Sequence, residues 1–232
     1  MSLTEIPQHP DRIALSNELH ARPFPELSAP SRAGSIALER DMNAPDSDRA
    51  HLIALLDRYG APHPAPGAAH HSADLGMAHL KWERHSEFST FSLFADGLAE
   101  PPFDGGLFEH FPAKWLAAAP GRLLSSVLVR VEHAKTAKDV VTRVKEVGGQ
   151  WFHPEAMAAS YVLNREAAIV GDFRLDAREN IRFAVFQIGN TGAFRMGRIV
   201  QRLIEIETYK TMAMLTLPIA RNVFAGLSDL DR

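Results

Sequence analysis

Ala158-Ala-Ser-Tyr-Val-Leu163, Ala167-Ala-Ile-Val-Gly-Asp-Phe173 and Ile181-Arg-Phe-Ala-Val-Phe-Gln-Ile188 are three β-branched and aromatic runs. Asn164-Arg-Glu166 separates the first two and Asp176 to Asn180 precedes the third, so the spacing predicts three consecutive strands in an antiparallel meander. Beyond Gly189-Asn-Thr191, the residues Met196, Ile199, Val200, Leu203 and Ile206 recur at the three, four, seven spacing of an amphipathic helix. That helix is expected to be long and to run until Pro218. Strands in runs, interrupted by isolated helices without regular βαβ alternation, place the chain in the α+β class. The expected architecture is a mostly antiparallel or mixed sheet flanked by helices and ending in a long amphipathic helix. The corresponding division is an α+β soluble domain over residues 1–190, and a C-terminal helix over 191–232 leading to a helical region absent from this chain.

Working outward, Thr136 with Asp139 three residues on reads as a capping box. Val140, Val141, Val144 and Val147 supply the helical stripe that follows, and Gly148-Gly149 is where it is expected to stop. Leu123 to Glu132 reads as a strand, and a short helix around Ala113 to Ala118 lies between Pro112 and Pro120-Gly121. From Ala78 to Glu87 the chain alternates, with Leu80 and Trp82 on one face and His79, Lys81, Glu83 and His85 on the other; Phe88 to Phe94 returns as its hairpin partner. His63-Pro-Ala-Pro-Gly67 is a loop, and Asp46 to Tyr59 a helix that Gly60 ends. Ser31 to Arg40 reads as a strand, Arg22 to Ser31 as an arm stiffened by Pro23, Pro25 and Pro30, and residues 10 to 20 as a short helix.

Composition narrows the function classes. The 46% hydrophobic and 23% charged content is that of a folding chain, and 232 residues bury enough surface for a sizeable core. Lys and Arg number 25 against 28 Asp and Glu, a net charge of -3, so the electrostatic footprint of a nucleic-acid binder is missing and no nucleic-acid partner is expected. With no cysteine, disulfides, Cys-ligated zinc, iron-sulfur clusters and thiol catalysis are excluded. The N-terminus lacks the basic start and apolar run of a signal peptide, and the most apolar stretch, Met212 to Ala220, is about half the ~20 residues a bilayer needs. No GxGxxG, GxxxxGK[ST], GxSxG or HExxH occurs.

Two patches carry chemistry. In the first, His70-His71-Ser-Ala-Asp74 precedes His79-Leu-Lys81-Trp-Glu83-Arg-His85-Ser-Glu87, which concentrates four of the eleven histidines. Imidazoles and a carboxylate converging on one point suit zinc, manganese or non-haem iron, with His71, Asp74, Glu83 and His85 as the ligand set and His71 and Asp74 supplied from a loop. Against this, alternate residues of one strand stand about 6.5 to 7 Å apart. The competing reading is an exposed strand face on which Lys81 and Glu83 pair across to a neighbour. In the second patch, His20 and Arg22 sit where the short helix meets the arm, able to clamp an anion or to tie the arm down through backbone carbonyls, with Phe24 as its apolar anchor. The combined ligand-binding candidates are His20, Arg22, His71, Asp74, Lys81, Glu83, His85 and Glu87. On the last helix, Arg195, Arg198 and Arg202 form a basic stripe that reads as a solvated face answered by Glu205, or as a surface for anionic headgroups or an acidic partner. Phe183, Phe186 and Phe194 read as core.

Asn17-Glu-Leu-His-Ala-Arg-Pro-Phe24, His71-Ser-Ala-Asp-Leu-Gly76, Lys81-Trp-Glu-Arg-His-Ser-Glu-Phe88 and Leu203-Ile-Glu-Ile-Glu-Thr-Tyr209 together resemble, in order and over nearly the whole chain, the bacterial domain of unknown function 3422 family. Its members are described only as uncharacterised membrane-anchored proteins, and no family catalytic residues exist to carry over. The resemblance implies a soluble N-terminal portion on the cytoplasmic side, tethered to the inner membrane in the full-length protein. The chain would then be a fragment, or a short member lacking the anchor. The leading expectation is therefore a ligand-sensing or assembly module, self-associating through its C-terminal helix. The alternative is a metal-assisted hydrolase that uses His71, Asp74, Glu83 and His85 with a divalent metal, His20 or Arg22 steadying an anionic substrate.

Overall fold

The β-branched and aromatic runs become the strands of one sheet, and the breaker-rich segments between them its turns. The computed structural model describes residues 6–10, 12, 24–221 and 223. In order the elements are β1 (Ser31–Glu39), α1 (Ser47–Tyr59), β2 (His70–Asp74), β3 (His79–Arg84), β4 (Phe88–Asp96), a 3-10 helix (Gly105–His110), α2 (Ala113–Ala117), β5 (Leu123–Ala134), α3 (Ala137–Trp151), β6 (Ala158–Val162), β7 (Ala167–Gly171), β8 (Ile181–Ile188) and α4 (Ala193–Met214). After a bend at Leu215 the chain is helical again over 216–221.

Eight strands pair in the order β2-β3-β4-β1-β5-β8-β7-β6. Every neighbouring pair is antiparallel except β5 with β8, so the sheet is mixed, and β6-β7-β8 form the expected meander. The class is α+β, with a long bent helix at the end.

Alternation along the strands makes two buried faces. On one, Ile36, Leu38, Leu80, Trp82, Phe91 and Leu93 pack against Leu52, Leu55 and Leu56 of α1 and against Leu107, Phe111 and Trp115. Farther along the same face, Ala168, Val170, Ala184 and Phe186 receive Val140 and Trp151 of α3. The other face, with Ala33, Phe94, Val127, Val129, Val131, Phe183 and Val185, is covered by Met196, Ile199, Val200, Leu203 and Ile204 of α4. Each large side chain fully buried in these layers is worth roughly 1.5–3 kcal/mol relative to exposure.

Local signals explain most boundaries. Thr136 and Asp139 form the predicted capping box, each side chain bonding the other's backbone N–H, and Gly60 ends α1 in the left-handed region at φ 62°. Four details differ from the expectation. Helix α3 does not stop at Gly148-Gly149 but runs to Trp151. A side chain at Gly148 would press on Met157 Sδ, so the glycine serves close packing, while buried Trp151 and Phe152 hold the last turn down. His70 to Asp74 is a strand rather than a loop, because β3 offers it a free edge. Phe194 is exposed, touched edge-on by Phe24, and so is not core. Ile206 is exposed as well, since α4 turns Ile204, Glu207 and Thr208 inward instead.

The arm crosses the start of α4. Leu27 N–H donates to Ala193 O at 3.1 Å, and a Cβ on Gly197 would lie 1.6 Å from Pro25 O, so only glycine admits the crossing. Phe24 anchors it under the Arg198 guanidinium, 5.0 Å from the ring centre. Of the predicted helix over residues 10 to 20, all but residues 10 and 12 lies outside the described residues, as do His20 and Arg22.

Candidate functional site

Polar residues gather where the distal half of α4 crosses β3 and β4. Alternation sends Lys81 and Glu83 of β3 to the face opposite Leu80 and Trp82, and the register sets Ser92 and Thr90 of β4 beside them. Gln201, Glu205, Thr208 and Tyr209 of α4, at spacings of four, three and one, descend from above. The side chain of Lys81 donates to Gln201 Oε1 at 2.8 Å and pairs with Glu83 Oε1 at 2.9 Å. Gln201 Nε2 donates onward to Glu205 Oε1 at 2.7 Å, and Arg202 pairs with Glu205 at the rim. At the far end His85 Nδ1 and the Tyr209 hydroxyl are 3.1 Å apart, and the His85 ring stacks on Phe88 at 4.2 Å.

Lys81, Glu83 and His85 are therefore buried under a helix, and the reading of this strand face as exposed is corrected. A buried ion pair is stabilised when its charges gain further hydrogen bonds, and here Gln201 Oε1 accepts one from Lys81. Ser35 and Ser92 hydroxyls meet at 2.8 Å, and Ser125 meets Thr208 at 3.1 Å, so the seat of α4 is polar over several strands. The cavity enclosed by this cluster is about 20 Å³, the size of a single water. The Thr90 hydroxyl is buried there without a hydrogen-bond partner among the described residues.

The other candidates lie elsewhere. His71 stands opposite Trp82, hence on the other face of the sheet, and its Nε2 is 2.7 Å from Pro62 O. Asp74 ends β2, where its Oδ1 accepts the Gly76 N–H at 2.8 Å. Glu87 is exposed in the β3–β4 turn, its carbonyl accepting Arg40 N–H. The structure brings together Lys81, Glu83 and His85 and leaves His71, Asp74 and Glu87 apart. Among the described residues no three His, Asp or Glu side chains are placed to hold a metal ion. Gln201 and Thr208 enter the cluster without any expectation from the sequence, although with Glu205 and Tyr209 their helical spacing marks a polar strip within an apolar stripe.

Two further buried charge clusters act as braces. Asp48 of α1 receives Arg84 at 2.6 and 2.8 Å and the Ser89 hydroxyl at 2.6 Å, fastening α1 to the β3–β4 hairpin. Glu132 receives Arg130 at 2.6 Å and Arg143 at 3.1 Å, joining β5 to α3. Burial disfavours the Glu132 carboxylate, but the hydrogen bonds from Arg143 and Arg130 outweigh it and hold its pKa below the ordinary value. The basic stripe on α4 is also answered residue by residue: Arg195 by Glu166, Arg198 by the Phe24 ring and Arg202 by Glu205.

Residues 7–232 match the family model described as a protein of unknown function (DUF3422). No curated protein and no solved structure matches the chain. Among the described residues, no helix is long and apolar enough to cross a membrane.

Proposed function

The chain belongs to the DUF3422 family, and we propose that it is an assembly module: a head whose sheet seats the first part of α4 and presents the distal turns to the same turns of a second copy. One observation carries this reading. Past Tyr209 the helix leaves its seat, and Leu215, Ile219 and Val223, four residues apart, are 48%, 66% and 56% exposed. Apolar side chains at that spacing line one helical face, the pattern that pairs with another helix.

Of the two roles expected of such a head, assembly is the one that this exposed apolar helical face supports. The resemblance to membrane-anchored proteins leads us to place the head on the cytoplasmic side of the inner membrane. The metal-assisted hydrolase is not adopted, since His71 faces away from Glu83 and His85.

Light scattering over a range of concentrations tests the reading. The wild-type chain is expected to gain mass with concentration, and a Leu215→Glu/Ile219→Glu variant to lose that helix-mediated association with an unchanged circular-dichroism spectrum. A wild-type chain that stays monomeric, or a variant that associates just as well, overturns it.

A further inference from the structure

An open groove of about 680 Å³ lies where the segment after β4, the end of β5 and the first turns of α3 meet. Its floor is charged. Arg130 of β5, with a side chain only 4% exposed, donates from Nε to Glu132 at 2.6 Å, from Nη1 to Ala99 O at 2.8 Å and from Nη2 to Glu100 Oε1 at 3.0 Å. The Trp151 ring packs against the guanidiniums of Arg130 and Arg143, 5.3 and 5.1 Å from its centre, and holds both in place.

The carboxylates that line the groove differ in how firmly they are held. Glu132 accepts from both arginines and on both of its oxygens. Asp139 is spent on the capping box, accepting from the Thr136 N–H and hydroxyl. Glu100 reaches Arg130 through one bond, and its side chain is 70% exposed. A carboxylate that stands mostly in water and is held by one contact exchanges easily, whereas the buried guanidinium cannot follow it out. Once Glu100 leaves, Arg130 is short of an acceptor, so the vacated position favours another anion. Lys135 also lines the groove, exposed and with no ion pair among the described residues.

We propose that this groove binds a small dicarboxylate: one carboxylate replaces Glu100 on Arg130, the other pairs with Lys135, and the carbon chain between them lies against Leu98 and Phe186. This goes beyond the helix-mediated reading and does not depend on it. The ligand needs two ends because Arg130 and Lys135 are five residues apart along the extended end of β5, roughly 16 Å between Cα atoms. The Arg130 side chain, fixed by Glu132 and Trp151, cannot swing across to share one compact anion with the lysine. A carboxylate is the fitting end because the guanidinium edge already pairs with one, and Glu100 is in effect a tethered stand-in for the ligand.

Glutarate is the probe, titrated into the chain by isothermal calorimetry with sodium chloride holding the ionic strength constant. The wild type is expected to bind it saturably, Glu100→Ala about tenfold more tightly because the tethered competitor is gone, and Lys135→Met about tenfold more weakly. Lys138→Met, at an exposed position of α3 outside the groove, should bind as the wild type does. In thermal unfolding, glutarate should raise the melting temperature of Glu100→Ala more than that of the wild type, because it returns an acceptor to Arg130. Propionate, which carries only the end that Glu100 imitates, should bind about tenfold more weakly than glutarate. No saturable binding to either the wild type or Glu100→Ala, or equal binding by Lys135→Met and Lys138→Met, overturns the proposal. Propionate or inorganic phosphate binding as tightly as glutarate overturns the two-ended carboxylate. Each of these outcomes leaves the helix-mediated association untouched, since that is read by light scattering on the distal turns of α4.

Discussion

His51 should make the protein lose stability in mild acid by an amount that can be worked out in advance. The ring, on α1, lies 3.9 Å from the Trp115 indole in a stack tilted by 17°, with Phe91 edge-on at 5.8 Å. Its Nε2 is buried without a hydrogen-bond partner among the described residues. Burial pushes the pKa from the ordinary 6.5 down to about 4. Between those values the unfolded chain binds a proton that the folded chain refuses, so stability is constant above about pH 6.5 and declines as pH falls towards 4. At pH 5 the ratio of the two binding polynomials is about thirtyfold, or about 2 kcal/mol relative to pH 7.5. Urea unfolding at pH 7.5 and 5.0, for the wild type and for His51→Phe, isolates this effect, because phenylalanine keeps a ring against Trp115 and cannot titrate. Carboxylates and the other histidines contribute to both proteins and cancel. The wild type should lose about 2 kcal/mol more than the variant, a relative midpoint shift of about 1 M at an m-value of about 2 kcal/mol/M. If the two proteins lose the same stability, the folded state accepts the proton and the stack on Trp115 does not exclude water from Nε2.

Lys81→Met should cost about 3–5 kcal/mol, because it leaves Glu83 buried without its ammonium; adding Glu83→Leu should recover most of that loss in thermal or urea unfolding, and a double variant as unstable as the single one would refute the pairing. Gly197→Ala should destabilise by several kcal/mol or displace the arm, since its Cβ would sit 1.6 Å from Pro25 O. Gly149→Ala, at an exposed position inside α3 with only the Pro154 ring within 4 Å, should instead stabilise by about 0.5–1 kcal/mol. Opposite signs in the two melting temperatures check both glycines at once.

Local periodicity carried most of the fold. The meander over Ala158–Ile188, the capping box at Thr136 and the helix before Gly60 each depend on residues within a turn or a hairpin of one another, and there the reading and the structure agree. The departures share a different cause. Gly148 sits inside a helix because Met157 needs the space, and His70 to Asp74 is a strand because β3 has an edge to offer. Neither neighbour is visible in a local window.

The candidate site shows the same limit more sharply. Alternation correctly put Lys81, Glu83 and His85 on one face of β3, but period two says only which side chains share a face, not whether water or protein covers it. What covers this face is a helix 120 residues away in sequence, at the Lys81 to Gln201 contact. The complementary signal lies on that helix: Gln201, Glu205 and Thr208 interrupt the apolar stripe of Ile199, Val200, Leu203 and Ile204, at a spacing that keeps them together. A polar strip on a buried helix and a polar face on a buried strand each violate the ordinary pattern, and each is explained by the other, because buried charge persists where a partner is supplied. The two violations, one at period two on β3 and one at period 3.6 on α4, answer each other, and together they make the polar strand face the seat of the helix.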